Sequence, residues 1–422
     1  MTHDMVRSLY PISFKQPRGT SMKDSIPSLL RAAVPFVFVA AIAAAATPVR
    51  ADAATPALPQ MGFNNWNSTH CRDEFDEAMI RGIADKFIGL GLRDAGYRYV
   101  NIDDCWANWQ RDKDGHLQPN PKRFPGGIKA LAEYIHQHGL KFGLYSSAGV
   151  STCEPLQENR GFPGGLGHEK DDAATFASWD VDYLKYDNCN NQKVDAHQRY
   201  TAMAEALRGS GRTIFFSMCE WGENKPWLWA GKPPVGAGSW RTTGDISDNY
   251  ASMLKIFKEN VVLDRYASPG HWNDPDMLEV GNGGMTDLEY RSHFSLWSIM
   301  AAPLLIGTDL RTIKPDALQI LLNKEVIAVD QDPLGVQGHQ VRDTSGIHVI
   351  VKPLKDGSRA VAVFNETDAA HDVTVTASEL GLKAGQSYNV RDLWAHAQTK
   401  GDGSIKTELA AHATVMYRIG RR

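Results

Sequence analysis

The sequence predicts an eight-stranded parallel β/α barrel of the TIM type, followed by a small antiparallel β domain. Three observations carry this. Eight short apolar runs recur over roughly 270 residues, each ending in polar or acidic residues, as barrel strands do. Helical periodicity fills several of the gaps, and strand alternating with helix argues for a parallel sheet. After Gln331-Asp332-Pro333-Leu334-Gly335 the helical units stop and short strands between turn signals take over. A doubly wound open sheet is the other arrangement of such units. It would place a Gly-rich phosphate turn after the first strand, and none is present.

The elements follow in order. Met22-Lys23 and Arg31 precede an apolar run over 32–46, and Ala51-Asp52-Ala53 supplies a small-x-small cleavage pattern. This predicts a secretory signal peptide over 1–53, since the apolar run is too short to span a bilayer. Residues 1–21 lack signal character, which points to Met22 as the start, an upstream extension being the alternative. The expected compartment is extracellular or periplasmic, with no membrane attachment in the mature form. The barrel is expected over 54–333, with strands at 61–66, 97–104, 141–147, 182–189, 213–220, 239–245, 271–278 and 302–309. Helical spacing marks 75–92, 128–136, 173–179, 194–207, 250–262 and 290–300, and a further helix over 316–329 closes the barrel. The C-terminal β domain, read as a sandwich, spans 334–422, with strands at 347–353, 359–364, 371–376, 388–392 and 414–419.

Composition is that of an ordinary globular protein, 42% hydrophobic and 22% charged. A net charge of −4 gives no basic field for nucleic acid. Export makes disulfides plausible for Cys71, Cys105, Cys153, Cys189 and Cys219, but five cysteines leave at least one thiol unpaired within a single chain. No CxxC spacing occurs, so a zinc site is not expected. Nothing in the sequence speaks to oligomeric state.

Acidic residues close the predicted strands: Asp103-Asp104, Asp187, Glu220, Asp245, Asp274 with Asp276, and Asp309. In a barrel they converge on one rim. Many carboxylates round a cavity suit a divalent metal or a sugar, and His271 is the only histidine nearby at a strand end. Trp66, Trp106, Trp221, Trp240 and Trp272 also lie at or beside strand ends, which favours carbohydrate, because indoles stack on sugar faces while carboxylates accept hydroxyls. Core and interface packing accounts for most of the eleven tryptophans. Glycoside hydrolysis commonly uses two carboxyls, one ionised and one protonated. Asp187 ends a β-forming run, and Lys185, two residues back, shares its face and is expected to hold it ionised. A purely structural ion pair is the alternative. Asp245 reads as the second carboxyl, or as an N-cap for the segment near Ser247.

The stretch Tyr183-Leu184-Lys185-Tyr186-Asp187-Asn188-Cys189-Asn190 resembles the nucleophile strand of family 27 glycoside hydrolases, the α-galactosidases. Trp240-Arg241-Thr242-Thr243-Gly244-Asp245-Ile246 resembles that family's acid/base strand. The resemblance covers nearly all of the chain after about residue 58, with several motifs in order. It implies Asp187 as nucleophile, Asp245 as acid/base, and no cofactor. It further implies that Asp103 and Asp104 accept the 4- and 6-hydroxyls of galactose. Met218-Cys219-Glu220-Trp221-Gly222 resembles the loop near the 2-position, where bulky Glu220 and Trp221 favour a free hydroxyl over an acetamido group. Cys219 is then the unpaired thiol near the sugar. Trp66, Tyr145, Arg241, Asp276 and Met277 match sugar-contacting positions, and Cys71–Cys105 and Cys153–Cys189 match the family's disulfides. Ser147 stands where relatives usually carry Asp.

The expected activity is a retaining, secreted exo-α-galactosidase acting on α-galactoside oligosaccharides or polysaccharides. The alternatives are a β-L-arabinopyranosidase or α-N-acetylgalactosaminidase of the same family. A non-catalytic galactose-binding protein is disfavoured by the presence of both aspartates.

Overall fold

The structure, a computed structural model, describes residues 57–154 and 161–421. The expected signal peptide lies outside these residues. Eight parallel strands form the first sheet: β1 Met61–Asn64, β2 Tyr99–Asn101, β3 Lys141–Ser147, β4 Tyr183–Asp187, β5 Phe215–Cys219, β6 Ser239–Arg241, β7 Trp272–Asp274 and β8 Leu304–Ile306. Their order, β7-β6-β5-β4-β3-β2-β1-β8, is the sequential winding of a barrel. The ladder breaks where Pro275, which has no N–H, follows β7. It resumes as Leu278 N donates to Leu305 O at 2.7 Å and Gly307 N donates to Leu278 O at 2.8 Å, which closes the ring.

The helices are α1 Trp66–Thr69, α2 Glu77–Gly89, α3 Leu92–Ala95, α4 Ile128–Gln137, α5 Glu169–Ser178, α6 Ala196–Gly209, α7 Tyr250–Val261, α8 Asp287–Ile299, α9 Pro315–Leu321 and α10 Lys324–Asp330. Several start where a side chain satisfies an orphan amide. Asp76 caps α2, Asp195 caps α6 and Asn249 caps α7, while Thr286 and Glu289 form a capping box on α8. The single helix expected over 316–329 is a correction: Asn323 accepts from Glu325 N and Val326 N, starting a second helix there. The connection from β5 to β6 carries only a short 3-10 turn, Pro226–Leu228.

Strand parity builds the barrel's interior. Tyr99, Tyr183 and Phe215 fill its lower layer, with the Tyr183 and Phe215 rings stacked 5.3 Å apart. Above them point Tyr145, Lys185, Ser217, Arg241 and Asp274. Gly143 is needed here, because a Cβ would lie 2.0 Å from Asn101 Oδ1. The alternate residues, such as Leu184, Phe216 and Met218, pack outward against the helices in the main core.

The second domain holds β9 His339–Thr344, β10 Ile347–Pro353, β11 Arg359–Asn365, β12 His371–Val375, β13 Tyr388–Asp392, β14 Ala397–Gly401, β15 Ile405–Leu409 and β16 Thr414–Gly420. Six strands, in the order β14-β13-β16-β11-β10-β9, face a two-stranded sheet of β12 and β15. Val349, Val351, Val361, Val363, Val373, Ile405 and Leu409 share the core between them. Three of these strands, β9, β14 and β15, are absent from the sequence expectation. The domain is fixed to the barrel by bonds such as Trp394 Nε1 to Ser295 Oγ at 2.9 Å and Arg391 to Glu325 at 2.7 Å. No helix among the described residues is long and apolar enough to cross a membrane.

Candidate active site

The strand ends bring separate hydrogen-bonded groups together at the barrel mouth. Asn64, ending β1, donates to Asp103 at 2.7 Å, and Lys185 Nζ, from β4, donates to the same carboxylate at 2.8 Å. Asp104 accepts from Cys105 N at 2.7 Å and Glu154 N at 3.0 Å, yet burial pushes it up to about 7. Asp103 and Asp104 are both buried. Lys185 Nζ also lies 5.2 Å from the Tyr145 ring centroid. The expected Lys185–Asp187 ion pair is thereby corrected: the ammonium is committed to Asp103.

Asp187 ends β4, in register with Ser147 of β3 and Cys219 of β5. Its Oδ1 accepts from Asn188 N at 2.9 Å. Burial raises it to about 6, Lys185 pulls the other way, and the charge of Asp245 raises it further. Asp245 follows β6. Its side chain is 68% exposed and held by Arg241 Nη2 at 2.9 Å. Burial works against ionisation there too, but Arg241 and Lys185 outweigh it and keep the carboxyl below its ordinary value. Asn249, not Asp245, caps the helix that follows.

Arg241 is the hub of this side. It contacts Asp276 at 3.0 Å and Cys219 Sγ at 3.5 Å, and its Nε finds no partner among the described residues. The Tyr145 hydroxyl is likewise buried without a partner, and burial with three nearby aspartates keeps it protonated. Both groups can donate to a hydroxylated ligand. Cys219 is the free cysteine, with its thiol raised by burial and Asp187. Met277 is buried beside Asp276, and Trp66 is half-buried at the start of α1, where its backbone N–H donates to Asn64 at 2.8 Å.

Not every candidate joins these groups. Glu220 stands one residue past the inward-facing Cys219. Its carboxyl accepts from Asn224 N at 2.9 Å and Nδ2 at 2.8 Å, and burial raises it to about 7. These bonds close its own loop. Trp221, at φ 59°, and Asp276, at φ 80°, hold left-handed backbone at the mouth. Trp240 bonds Asn273 on the outer side of β6, and Trp272 is wholly buried, so neither is a stacking platform. Asp309 is tied to Arg311 at 2.7 Å.

Disulfides join Cys71 to Cys105 and Cys153 to Cys189. Cys153, Cys189 and Asp187 could each turn a ligand atom to one point, but the paired sulfurs offer no thiolate to a metal. Sequence reasoning overlooked Asn64, whose inward parity two residues after Gly62 was the available signal. It also overlooked Arg199, buried on α6.

Residues 58–332 match the family described as Alpha galactosidase A. The chain belongs to that family. Residues 344–419 match the alpha galactosidase C-terminal beta sandwich domain, in agreement with the second domain of this family member. Among its relatives is the alpha-galactosidase of Cyamopsis tetragonoloba, 50% identical over 365 residues, covering 86% of each chain. Among solved structures, alpha-galactosidase I from Mortierella vinacea aligns with a TM-score of 0.82 and 36% identity, over 86% of this chain and 97% of the other. The Saccharomyces cerevisiae alpha-galactosidase solved with raffinose aligns with a TM-score of 0.80 and 29% identity, over 86% and 98%.

Proposed function

We propose that the protein is a secreted exo-α-galactosidase that works by retaining double displacement. One observation supports the mechanism: two carboxyls, at the end of β4 and just beyond β6 with β5 between them, have opposite settings, Asp187 buried and pushed up, Asp245 exposed, bonded to Arg241 and pulled down. Asp187 attacks the anomeric carbon while Asp245 protonates the departing oxygen. Asp245 then takes a proton from water, which releases α-galactose from the β-galactosyl enzyme. Asp103, Asp104 and Lys185 hold the 4- and 6-hydroxyls, and Arg241, Cys219 and Asp276 meet the other side of the ring. Tyr145 donates its free hydroxyl. Trp66 and Met277 supply apolar contact.

The pair shares one proton between its two titrations. In the unliganded protein burial favours that proton on Asp187, whereas the chemistry needs it on Asp245. A leaving group that covers the exposed Asp245 removes water from it and raises its proton affinity, which brings the active arrangement within reach. Retention requires carboxyls about 5–5.5 Å apart, against about 6.5–9.5 Å for inversion.

A panel of aryl glycosides tests the reading: α-galactoside, β-L-arabinopyranoside and α-N-acetylgalactosaminide, each with wild type and Asp187→Asn. The expected result is preference for the α-galactoside, lost in the variant, with α-galactose as first product by NMR. Preference for another member of the panel overturns the substrate. β-Galactose as first product overturns the mechanism.

A further inference from the structure

Arg199, on α6, is a buried cation that the chemistry above does not use. It is 2% exposed, its hydrogen bonds go to neutral acceptors, and the nearby carboxylate of Glu220 feels its charge. A buried charge of this kind is costly unless its donors are satisfied. Here they are met by three acceptors near the catalytic mouth. Nε donates to Val194 O at 2.8 Å, Nη1 to Ala148 O at 3.2 Å, and Nη2 to Asn188 Oδ1 at 2.8 Å. Its guanidinium carbon also lies 5.4 Å from the centroid of the Tyr200 ring. Ala148 directly follows β3, while Asn188 and Val194 follow β4.

Asn188 is the critical partner. Its backbone N–H donates to Asp187 Oδ1, and its side-chain Nδ2 donates to Glu223 Oε2 at 3.0 Å. Glu223 belongs to the loop that also carries Trp221. One guanidinium therefore fixes the side chain of the residue whose amide steers the nucleophile, and through it the loop on the far side of the mouth.

We infer that Arg199 is a positioning residue for Asp187. It acts through Asn188, orienting the attacking carboxylate and favouring its ionised form. A lysine keeps the charge but cannot reach three diverging acceptors, so the role is specific to the planar guanidinium. The inference rests on Asp187 being the nucleophile.

Arg199→Lys, Arg199→Gln and Asn188→Ala test it, read as kcat, KM and the pH profile of kcat/KM on whichever glycoside of the panel the wild type cleaves. The expected result is a fall in kcat of about tenfold or more, with KM within about threefold, because small misplacement of a reacting group is expensive. The alkaline limb of kcat/KM should also move up, since a weaker N–H bond to the carboxylate lets Asp187 hold its proton longer. Arg199→Lys should recover part of what Arg199→Gln loses. If Arg199→Gln fails to fold, the other two variants decide. Wild-type kcat and limb in both, or a lower melting temperature with unchanged kcat per folded molecule, leave Arg199 a purely structural brace and overturn the inference. A wild type inactive on the whole panel instead removes the functional reading on which it stands.

Discussion

An aspartate ends β4 and another follows β6, in opposite settings. β4 is paired on both sides through its last residue, so Asp187 is fixed in the sheet and 5% exposed. β6 ends at Arg241, and Asp245 comes four residues later, on a loop, with a 68% exposed side chain. Burial governs the first carboxyl and a guanidinium governs the second. The comparison teaches that strand length divides the work. A carboxyl inside the ladder cannot move and suits attack along one line. A carboxyl beyond the ladder can turn between a leaving oxygen and an incoming water.

Removing each carboxyl should give unequal losses. Asp187→Asn is expected to lower kcat by at least about 10⁴-fold on every substrate, since no bond to the sugar can form. Asp245→Asn should cost about 10²- to 10⁴-fold on alkyl galactosides, the usual worth of general acid–base help. It should cost far less in the first step on aryl galactosides whose phenol leaves unprotonated. Pre-steady-state release of the phenol checks this. Equal losses whatever the leaving group would erase the distinction between the two strand ends.

Much of this contrast was legible in the sequence, and the rest was not for identifiable reasons. The acidic strand ends follow from β-forming runs that stop at Asp or Glu, and parity puts Lys185 and Asp187 on one face. What parity cannot tell is which carboxylate a lysine reaches across the barrel, and Lys185 reaches Asp103, 82 residues away in sequence. Glu220 marks another limit: it lies just beyond the last residue of β5, where strand parity no longer applies, and its carboxyl bonds Asn224 in its own loop. Arg199 carries no sequence signal, because an arginine on an amphipathic helix normally lies in solvent. In the second domain, β9 and β14 are the edge strands, mostly polar and exposed, so their patterning marks no buried face. The helix expected over 316–329 is broken by one asparagine whose capping role depends on where the chain turns.

The two carboxyls should also shape the pH profile. The active species holds one proton on the pair. Asp187 is raised to about 6, and Asp245 lies below its ordinary 3.8. Above about 6 the last proton leaves and no general acid remains, so kcat/KM falls. Below the lower titration a second proton binds and the nucleophile is lost. The expected profile is a bell with an acidic optimum and its alkaline limb near 6, read as log kcat/KM against pH. A flat plateau through neutral pH would break the assignment of the higher titration to the buried strand end.

Stability should register the same asymmetry. Asp187 moves from 3.8 to about 6 on folding, so the folded state binds its proton more tightly. The associated stability is present below the ordinary value and lost as pH rises through about 6. At neutral pH the ionised carboxyl then costs roughly 3 kcal/mol, about 1.4 kcal/mol for each unit. Asp187→Asn carries no charge, so its thermal midpoint should exceed that of wild type by several degrees at pH 7. The gap should close as pH falls below 4. Asp245→Asn should show no such gain, because Asp245 is exposed and its partner Arg241 keeps Asp276 in any case.

The smallest expected effect concerns Ser147, which lies in register with Asp187 and donates to Cys189 O at 3.1 Å. Ser147→Asp sets a second carboxylate beside the nucleophile on the neighbouring strand. A like charge there disfavours the ionised form of Asp187, so its proton is held to higher pH. The alkaline limb of kcat/KM should move upward by less than about one unit, screened in part by Lys185 and by the mouth's solvent. The direction is the informative part. Asp245, farther off and facing water, should shift less, so the two limbs should spread apart rather than move together. A common displacement of both limbs, or a downward move of the alkaline one, would mean that the higher titration belongs to a group other than the carboxyl at the end of β4.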